Sequence, residues 1–379
     1  MPKYVLVPDS FKGTMSSADI CAIMERAILR LEPGAEVVSI PVADGGEGSV
    51  EAFLTACGGR KQPVRVAGPF GEPLDCFYGI TRGNTAIIEM AACAGLPLVY
   101  NRRDPGKTTT YGVGEMLLHA AAGGCRRIIV CLGGSATNDG GCGAAAATGV
   151  HFLNGLGEPF VPTGETLGSI ASIDKSGVSP LLNGVEILTM CDVDNPLCGE
   201  NGAASVFAPQ KGADEALTAR LDEGLAHFAQ IAMQSARSGV SAAMPSAGAA
   251  GGMGFGMAYF FGSPLQMGID AMLDLVGFDR LLEGAACVFT GEGRIDPQSM
   301  HGKTVIGVAR RAKMAGVPAI AIVGDVADGI EGAYGLGVTA IFSINRVAME
   351  RRLAKQRAPK DLEATMENVM RMLCATHKE

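Results

Sequence analysis

Short apolar runs alternate with amphipathic stretches at both ends of the chain. The run Lys3–Pro8 is followed by a polar loop and then by apolar residues at helical spacing, which predict a helix capped by Ser16 or Ser17 that runs to about Leu31. In the same way, the run Glu36–Ile40 leads into a stretch from about Ser49 to Cys57 that we expect to be helical. The same order returns near residue 285. This repeated succession of strand, polar loop and helix predicts a parallel α/β sheet.

The middle of the chain has a different pattern. Residues 64–100 predict short strands joined by turns, and the run Arg127–Leu132 predicts a buried strand that ends in a glycine-rich loop. Another strand is expected over Leu188–Asp192, and a helix is expected over residues 213–236. Gly248–Gly256 is so dense in glycine that we expect a loop there.

The two ends therefore resemble each other more than either resembles the middle. We expect an α/β fold with one Rossmann/flavodoxin-like parallel-sheet domain built from both termini, residues 1–65 plus 285–379. A second α/β domain with a mixed sheet, residues 66–284, is inserted into it. Because no low-complexity linker separates the two domains, we expect the active site to lie in a cleft between them.

Composition narrows the class of protein. The chain has 379 residues, of which 47% are hydrophobic, so packed cores are expected rather than disorder. Its net charge of −8 gives no general electrostatic basis for a nucleic-acid partner. The uncharged stretch Ser238–Gly268 contains Pro245 and Pro264, so a membrane span is not predicted. The 11 cysteines form no CxxC pair and no signal sequence is apparent, which indicates a cytoplasmic protein with reduced thiols.

The glycine-rich loop Gly133–Gly143 is the strongest candidate for a binding site. Glycines let a backbone approach a ligand and turn its N–H groups inward, and a helix that follows favours anions. Polar side chains in the same loop suit phosphate chemistry better than glycine alone, although a tight packing turn is the alternative. Two other glycine-dense segments share this character. The expected phosphate or nucleotide contacts are Gly45, Gly46, Gly133, Gly134, Ser135, Asn138, Asp139, Gly251 and Gly252.

Polar residues also follow the first predicted strand. Asp9, Ser10 and Lys12 come just past the end of Lys3–Pro8, at the position where ligands bind in open α/β sheets. A lysine at this position can meet a phosphate or a carboxylate. Asp44 lies in the next such loop, where it could bind a metal ion or act as a base. The alternative for these residues is a solvated loop and a turn with an acidic helix start.

Two later strand ends carry further carboxylates. Asp192 and Asp194 alternate at the end of a predicted strand, so at most one of them is expected to face a shared site. A turn-forming role for Asp192 is the alternative. Glu292, Arg294 and Asp296 follow a late apolar run and form another polar strand-end loop. From these residues alone, phosphoryl transfer to a small acidic metabolite fits best.

Seven motifs together resemble the bacterial glycerate kinase type-1 family over nearly the whole chain. Their shared order makes the resemblance far more specific than any single loop. The motifs are PDSFKGT (Pro8–Thr14), PVADGGEG (Pro41–Gly48), GGSATNDGG (Gly133–Gly141), CDVDNPL (Cys191–Leu197), NGAASVFAPQKGA (Asn201–Ala213), GAAGGMG (Gly248–Gly254) and GEGRIDPQSMHGK (Gly291–Lys303). The resemblance implies ATP-dependent phosphorylation of D-glycerate to 2-phosphoglycerate with Mg²⁺.

The resemblance also suggests roles for the candidate residues. The catalytic candidates are Asp192 or Asp296, one of which accepts the proton of the glycerate hydroxyl, and Lys12, which neutralises charge. Magnesium is expected to keep several waters and to be held partly by carboxylates. The expected substrate contacts are Asp9, Ser10, Asp44, Glu292 and Arg294, and the expected metal ligands are Asp192 and Asp44.

Other functions remain compatible with the residues. The chain could phosphorylate another small hydroxy acid, such as tartronate or an enol form of hydroxypyruvate. It could also be a metabolite sensor without catalytic activity, although the retained carboxylates argue against this. Small-molecule substrates are the expected partners, and the sequence leaves a homo-oligomer open.

Overall fold

The protein is described as a computed structural model that covers residues 1–42, 46, 48–234 and 239–376. Most strands are short and most are buried on at least one face. In chain order, the strands are β1 (Lys3–Pro8), β2 (Glu36–Ser39), β3 (Gly59–Ala67), β4 (Pro73–Thr81), β5 (Thr85–Glu89), β6 (Arg127–Cys131), β7 (His151–Leu153), β8 (Pro159–Phe160), β9 (Ser172–Asp174), β10 (Glu186–Met190), β11 (Leu265–Gln266), β12 (Ala285–Gly291), β13 (Arg294–Ile295), β14 (Ala319–Val323), β15 (Asp325–Val326) and β16 (Val338–Ser343).

Helices connect most of these strands. The α-helices are α1 (Ser17–Leu31), α2 (Ser49–Cys57), α3 (Ala91–Ala94), α4 (Tyr111–Ala122), α5 (Cys142–Ala147), α6 (Ala203–Phe207), α7 (Glu215–Gln234), α8 (Ala249–Phe261), α9 (Gly268–Leu275), α10 (Phe278–Leu281), α11 (Thr304–Met314), α12 (Gly332–Gly335) and α13 (Arg351–Thr376). Short 3₁₀ helices lie at Leu96–Val99, Gly164–Ser169, Pro180–Leu182, Pro209–Lys211 and Pro297–His301.

The chain divides into two compact units. The first unit consists of Met1–Asp44, Thr55–Cys57 and Met267–Glu379, and the second consists of Gly45–Leu54 and Gly58–Gln266. The first unit is therefore built from both ends of the chain. The predicted α/β fold, with a parallel-sheet domain made from both termini and a second mixed-sheet domain inserted, is confirmed.

The first unit is organised around a five-stranded parallel sheet in the order β2-β1-β12-β14-β16. The chain moves in one direction along the sheet from β1 to β2 and in the other direction from β12 to β16. This is the flavodoxin-like order, which opens a crevice at the carboxyl ends of the two strands where the direction reverses. In this protein those strands are β1 and β12.

Helices cover both faces of this sheet. On one face, α1 packs against α13, and their apolar side chains form one core with those of β1 and β12. Helix α1 forms where predicted because Ser16 and Asp19 close a capping box ahead of an apolar stripe that includes Ile20, Met24 and Ile28. On the other face, α11 packs against β12, β14 and α9. The carboxyl edge of the sheet is left for loops.

The second unit contains a six-stranded sheet in the order β3-β4-β5-β6-β10-β11. Strands β5, β6, β10 and β11 run parallel, whereas β4 and β3 extend the sheet as an antiparallel hairpin. A small antiparallel sheet, β8-β7-β9, lies in the stretch 150–185. Its Phe152 and the α7 residue Phe228 belong to a separate apolar core.

Several boundaries differ from the sequence-based expectations. Strand β3 pairs with β4, so residues 59–65 belong to the second sheet and not to the first domain. Met267–Gly284 likewise falls in the first unit. The expected loop Gly248–Gly256 is wrong for its second half, because α8 is non-helical only at Ala250, Gly251 and Gly252 and continues as a helix through Gly254 and Gly256. The density of glycine predicted a loop wrongly, because these glycines allow α8 to pack closely against a neighbouring loop.

Two further expectations concern the chain as a whole. No helix within the described residues is long and apolar enough to cross a membrane. The 11 cysteines are free thiols. Burial raises the pKa of several of them, including Cys93 and Cys142, which disfavours thiolate chemistry at those positions.

Candidate functional site

The carboxyl ends of β1 and β12 are tied together at the crevice of the first unit. The amide of Asp9 donates to the carbonyl of Gly291 at 2.8 Å, and the amide of Gly324 donates to the carbonyl of Glu292 at 3.0 Å. These bonds fix the backbone of Glu292 between its neighbours. Residue 291 must be a glycine because β12 passes very close to β14 at this point: a Cβ on Gly291 would lie 2.0 Å from the carbonyl oxygen of Ile322.

Glu292 is the buried carboxyl group of this crevice. It is 7% exposed, and its Oε1 has no hydrogen-bond partner among the residues that the structure describes. Burial raises the pKa of Glu292 to about 7, and the charges of Asp9 and Asp296 also raise it. A hydrogen bond from Ser299 and the charge of Lys303 act in the opposite direction. Near neutral pH this group therefore exists in both protonation states.

Asp296 has a structural task beside Glu292. It is the N-cap of the 3₁₀ helix Pro297–His301, where its Oδ1 accepts from the amides of Gln298 at 2.9 Å and Ser299 at 3.2 Å. In return, the Ser299 hydroxyl accepts from the amide of Asp296 at 3.2 Å, which completes a capping box. The predicted catalytic residue thus lies in the cluster and also holds the loop in shape.

Cationic side chains occur at the same edge. Lys12 and Arg294 are exposed. Lys303 is half-buried and is the N-cap residue of α11, but its side chain makes no hydrogen bond to the first amides of that helix. Backbone amides at the start of a helix of this length favour an anion, as does the lysine charge. The loop that carries Lys12 passes close to Gly293, where a Cβ would lie 3.4 Å from the Phe11 Cα. The crevice therefore offers carboxylates and cations together.

The loop Gly133–Gly143 of the second unit connects β6 to α5, as predicted. Gly133 is half-buried and Gly134 is exposed, with a φ of 76° that favours glycine. Behind them, the Nζ of Lys211 donates to the Ser135 Oγ at 2.8 Å and to the Thr137 carbonyl at 2.7 Å. Lys211 is 2% exposed, and burial lowers its pKa to about 7 against the opposing charge of Asp139. The buried Lys211 is thus hydrogen-bonded to the loop that is predicted to bind phosphate.

Asp139 organises the same loop from inside. It is fully buried, and its Oδ2 accepts from the Thr110 amide at 2.7 Å, the Thr110 hydroxyl at 2.9 Å and the Gly143 amide at 3.2 Å. Its Oδ1 accepts from the Gly141 amide at 3.1 Å. Burial raises the pKa of Asp139, and these hydrogen bonds lower it. The first amides of the six-residue helix α5, on which the sequence argument relied, are therefore bonded within the protein.

Asn138 and its neighbour Thr137 carry buried polar atoms without partners. The Asn138 amide oxygen and nitrogen and the Thr137 hydroxyl have no hydrogen-bond partner within the described residues. Gly251 and Gly252 pack directly on this segment, in the left-handed backbone region with φ of 69° and 85°. A Cβ at Gly251 would lie 2.0 Å from the Thr137 carbonyl oxygen, so these glycines are needed for close approach.

Carboxylates also line the carboxyl edge of the second sheet. Burial raises the pKa of Cys131 at the end of β6, and the charges of Glu89 and Asp192 add to this effect. Both carboxylates therefore lie near that strand end. The Oε1 of Glu89 accepts from the Val50 amide at 2.6 Å, which ties the start of α2 to β5. Asp192 lies beyond β10, whose last residue is Met190, rather than within the strand.

The structure thus brings the predicted site residues into two groups. Asp9, Ser10, Lys12, Glu292, Arg294 and Asp296 lie in the first unit, whereas Gly46, Asp192 and the residues of the Gly133 and Gly251 segments lie in the second. Asp44 and Gly45 lie outside the described residues. The cleft expected between the two domains stays a prediction. Each residue's role stays a prediction as well.

Sequence reasoning missed three charged residues. Glu89 closes an apolar run and gave no signal of its own. Lys211 follows Pro209 and precedes Gly212 in the motif NGAASVFAPQKGA, where a lone lysine among small residues could have drawn notice. Lys303 lies in the Gly302-Lys303-Thr304 segment, which lacks the first glycine of a phosphate-binding loop and was set aside for that reason.

These features define an α/β protein with a ligand crevice at its switch point and a second, glycine-rich anion-binding candidate. Residues 4–374 match the model of the glycerate kinase family. The "Glycerate kinase" of Bacillus cereus is 44% identical over 369 residues, which cover 97% of each chain. The "Glycerate 2-kinase" of Escherichia coli is 42% identical over 344 residues, which cover 90% of each chain.

A solved structure also matches this chain and carries a related name. The crystal structure of a protein provisionally called glycerate kinase 2, from Salmonella typhimurium LT2, has a TM-score of 0.87 and 39% sequence identity, and the match covers 100% of both chains. The chain belongs to the glycerate kinase family. This confirms the family and the enzyme class that the seven motifs predicted.

Proposed function

We propose that this protein catalyses the ATP-dependent phosphorylation of D-glycerate to 2-phosphoglycerate with the help of Mg²⁺. The observation that carries the proposal is the match to the glycerate kinase family along residues 4–374. The name of the Escherichia coli relative supports the choice of the 2-position. The two groups of polar residues supply the charges that phosphoryl transfer to an acidic substrate requires.

The crevice of the first unit suits the glycerate. The charge of the glycerate carboxylate can be neutralised by Lys12 and Arg294, which are exposed at the edge of the sheet. Asp9, whose Oδ1 accepts from the Ser10 amide at 2.6 Å, can accept from a substrate hydroxyl. In this scheme, a carboxylate takes the proton of the attacking hydroxyl, and Asp192 and Asp296 are the candidates from the sequence.

The glycine-rich loop of the second unit suits the nucleotide phosphates. Gly133 and Gly134 offer backbone at the surface of the loop, while Lys211 places a titratable nitrogen directly beneath it. Donors from backbone and lysine are the groups that bind phosphate oxygens in kinases. Ser135, Asn138, Gly251 and Gly252 lie in or against this loop, which supports nucleotide-binding roles for them.

Magnesium fits the carboxylates of the second unit. The described residues hold no group of three or more metal-ligating side chains. Mg²⁺ in kinases is held by one or two carboxylates together with substrate phosphates and waters, so a larger group is not required. Asp192, at the carboxyl edge beside Cys131, meets this requirement. When bound, the ion would neutralise charge on the phosphates.

The first experiment is to measure ATP consumption with D-glycerate and Mg²⁺ and to identify the product by phosphorus NMR. We expect 2-phosphoglycerate. Formation of 3-phosphoglycerate would confirm that the protein is a glycerate kinase but would mean that the other hydroxyl of the substrate is phosphorylated. No ATP consumption by folded, magnesium-supplied protein would overturn the proposal, and a panel of small hydroxy acids would then be tested.

A matched pair of lysine variants tests the substrate site. Lys12→Met removes a charge at the carboxyl end of β1, and Lys3→Met removes one at the amino end of the same strand. We expect Lys12→Met to raise KM for D-glycerate at least tenfold, about the value of one charge-assisted contact. Lys3→Met should leave KM unchanged. Equal KM values for both variants would remove Lys12 from the site.

A further inference from the structure

Glu292 stands apart from the other carboxyl groups of the crevice in its hydrogen bonding. The Oδ1 of Asp9 accepts from the Ser10 amide, and the Oδ1 of Asp296 accepts from two backbone amides. By contrast, the Oε1 of Glu292 is buried and has no partner within the described part of the chain. Buried polar atoms are almost always paired, so an unpaired one at a strand end indicates a group reserved for a ligand.

The position of Glu292 is also fixed by the fold. It directly follows β12, the central strand of the parallel sheet and one of the two strands at the switch point. The bonds of Asp9 to Gly291 and of Gly324 to Glu292 hold the backbone on both sides. A side chain on so constrained a backbone is preorganised, which is what a group that takes part in chemistry requires.

We propose that Glu292 is the general base of the reaction and accepts the proton of the glycerate hydroxyl. The inference rests on the proposed function. As the hydroxyl oxygen forms a bond to the terminal phosphorus of a nucleoside triphosphate, its proton passes to Oε1 of Glu292. The bond from that phosphorus to its bridging oxygen breaks, and the electron pair leaves with the nucleoside diphosphate. The protonated carboxyl group then releases its proton to solvent.

The charges around Glu292 suit this task. Burial raises the pKa of Glu292 to about 7, which is close to the value at which a general base works best at neutral pH. The charged groups that face it are Asp9 after β1, Asp296 at the 3₁₀ helix and Lys303 at the start of α11. The two carboxylates raise the pKa of Glu292, and Lys303 and the Ser299 hydroxyl lower it.

Asp296, the nearby candidate from the sequence, is less well placed for the same task. Its Oδ1 is engaged by the amides of Gln298 and Ser299, and its own amide is bound to the Ser299 hydroxyl. A carboxylate oxygen that already accepts two backbone N–H bonds is less free to receive the proton of a substrate hydroxyl. Asp296 therefore acts as a positioning residue that also tunes Glu292 through its charge.

The first test is the pH dependence of kcat for the wild-type protein and for Glu292→Gln. We expect the wild-type rate to rise with pH through an acid limb near neutral pH. The variant should lose that limb and about 10²–10⁴-fold in kcat, the usual range for a general base, with KM changed only a few-fold. Folding of the variant is checked by its thermal transition.

The second test moves the acid limb without removing Glu292. Lys303→Met removes a positive charge, so it should shift the limb to higher pH. Asp296→Asn removes a negative charge, so it should shift the limb to lower pH. Lys313→Met, at the far end of the same helix as Lys303, should leave the limb in place. Opposite shifts of this kind are not expected if Glu292 only supports the loop.

The outcomes separate this inference from the proposed function. If the wild-type protein does not phosphorylate D-glycerate at all, the proposed function fails. If it does, but Glu292→Gln keeps its acid limb and loses less than tenfold in kcat, the inference about Glu292 is overturned. Loss of the limb in Asp192→Asn or Asp296→Asn instead would assign the base to that residue and would likewise overturn the inference.

Discussion

The two polar strand-end loops of this protein look alike in sequence and differ in structure. Each places a carboxylate beside glycines after a buried strand. In the second unit, Asp139 is fully buried and accepts four hydrogen bonds from its own loop and from Thr110. In the first unit, Glu292 is nearly as buried, yet one of its oxygens has no partner among the described residues.

This difference separates a scaffold from a reactive group. A buried carboxylate whose hydrogen bonds are supplied by the protein is anchored by them and stabilises the fold. A buried carboxylate with one unpartnered oxygen is costly to the fold and remains ready to take a proton. Removal of the two carboxylates should therefore change stability in opposite directions, and four predictions follow this contrast.

The largest effect is expected for Asp139→Asn. The amide retains one acceptor and places an N–H₂ group against backbone donors, so we expect a loss of about 3–5 kcal/mol in the free energy of unfolding, as for a broken buried charge network. The measurement is denaturant unfolding. As a control, Asp214→Ala removes an exposed carboxylate that accepts from the Leu217 amide at 2.7 Å, and should cost about 1 kcal/mol. A stable Asp139→Asn protein with a greatly raised KM for ATP would instead support direct nucleotide contact.

The second effect concerns Lys211 and pH. Burial lowers its pKa from 10.5 to about 7 in the folded protein. Between these values the unfolded chain binds a proton that the folded chain releases, so the free energy of unfolding should rise with pH, by at most about 1.4 kcal/mol per unit. Lys211→Met should remove this rise, whereas Lys3→Met should keep it. Denaturant unfolding at pH 7 and pH 9 compares them, and equal slopes for both variants would refute the prediction.

The third effect is a gain in stability. The folded-state pKa of Glu292 is raised from 4.5 to about 7, so the folded protein holds a proton that the unfolded chain loses between these values. Its contribution to the free energy of unfolding therefore falls as pH rises from about 4.5 to 7. At pH 8, Glu292→Gln should be more stable than wild type by about 2 kcal/mol, a trade of activity for stability. Glu283→Gln, an exposed control before β12, should show no change, and a destabilised Glu292→Gln would contradict the contrast.

The smallest effect is expected for Asp296. Asp296→Ala removes the N-cap of the 3₁₀ helix Pro297–His301 and should cost about 1 kcal/mol in the free energy of unfolding. Asp296→Ser keeps a capping oxygen and should recover most of that loss. Thermal unfolding of the two variants provides the measurement. Equal transition temperatures for the Asp296→Ala and Asp296→Ser variants would show that the N-cap hydrogen bonds do not contribute to stability in this loop.

Part of the fold could be read from local patterns. Strand β1 was predicted at its observed limits and helix α1 close to them, because an apolar run and a capped amphipathic stripe are specified by local sequence. Helix α8 was not, because its glycines signal flexibility in sequence and close packing in the structure. Strand β3 was assigned to the other domain because pairing with β4 depends on the neighbouring strand rather than on its own residues.

The candidate site divides in the same way. The sequence by itself determined the family, the glycine-rich loop and the carboxylates that follow β1 and β12, since order and residue type suffice for these. Only the tertiary structure decided which polar groups are satisfied. Residues distant in sequence, such as Thr110 for Asp139 and Lys211 for Ser135, supply those bonds. Burial and hydrogen bonding arise from contacts between remote segments, and these set the pKa and the role of each group.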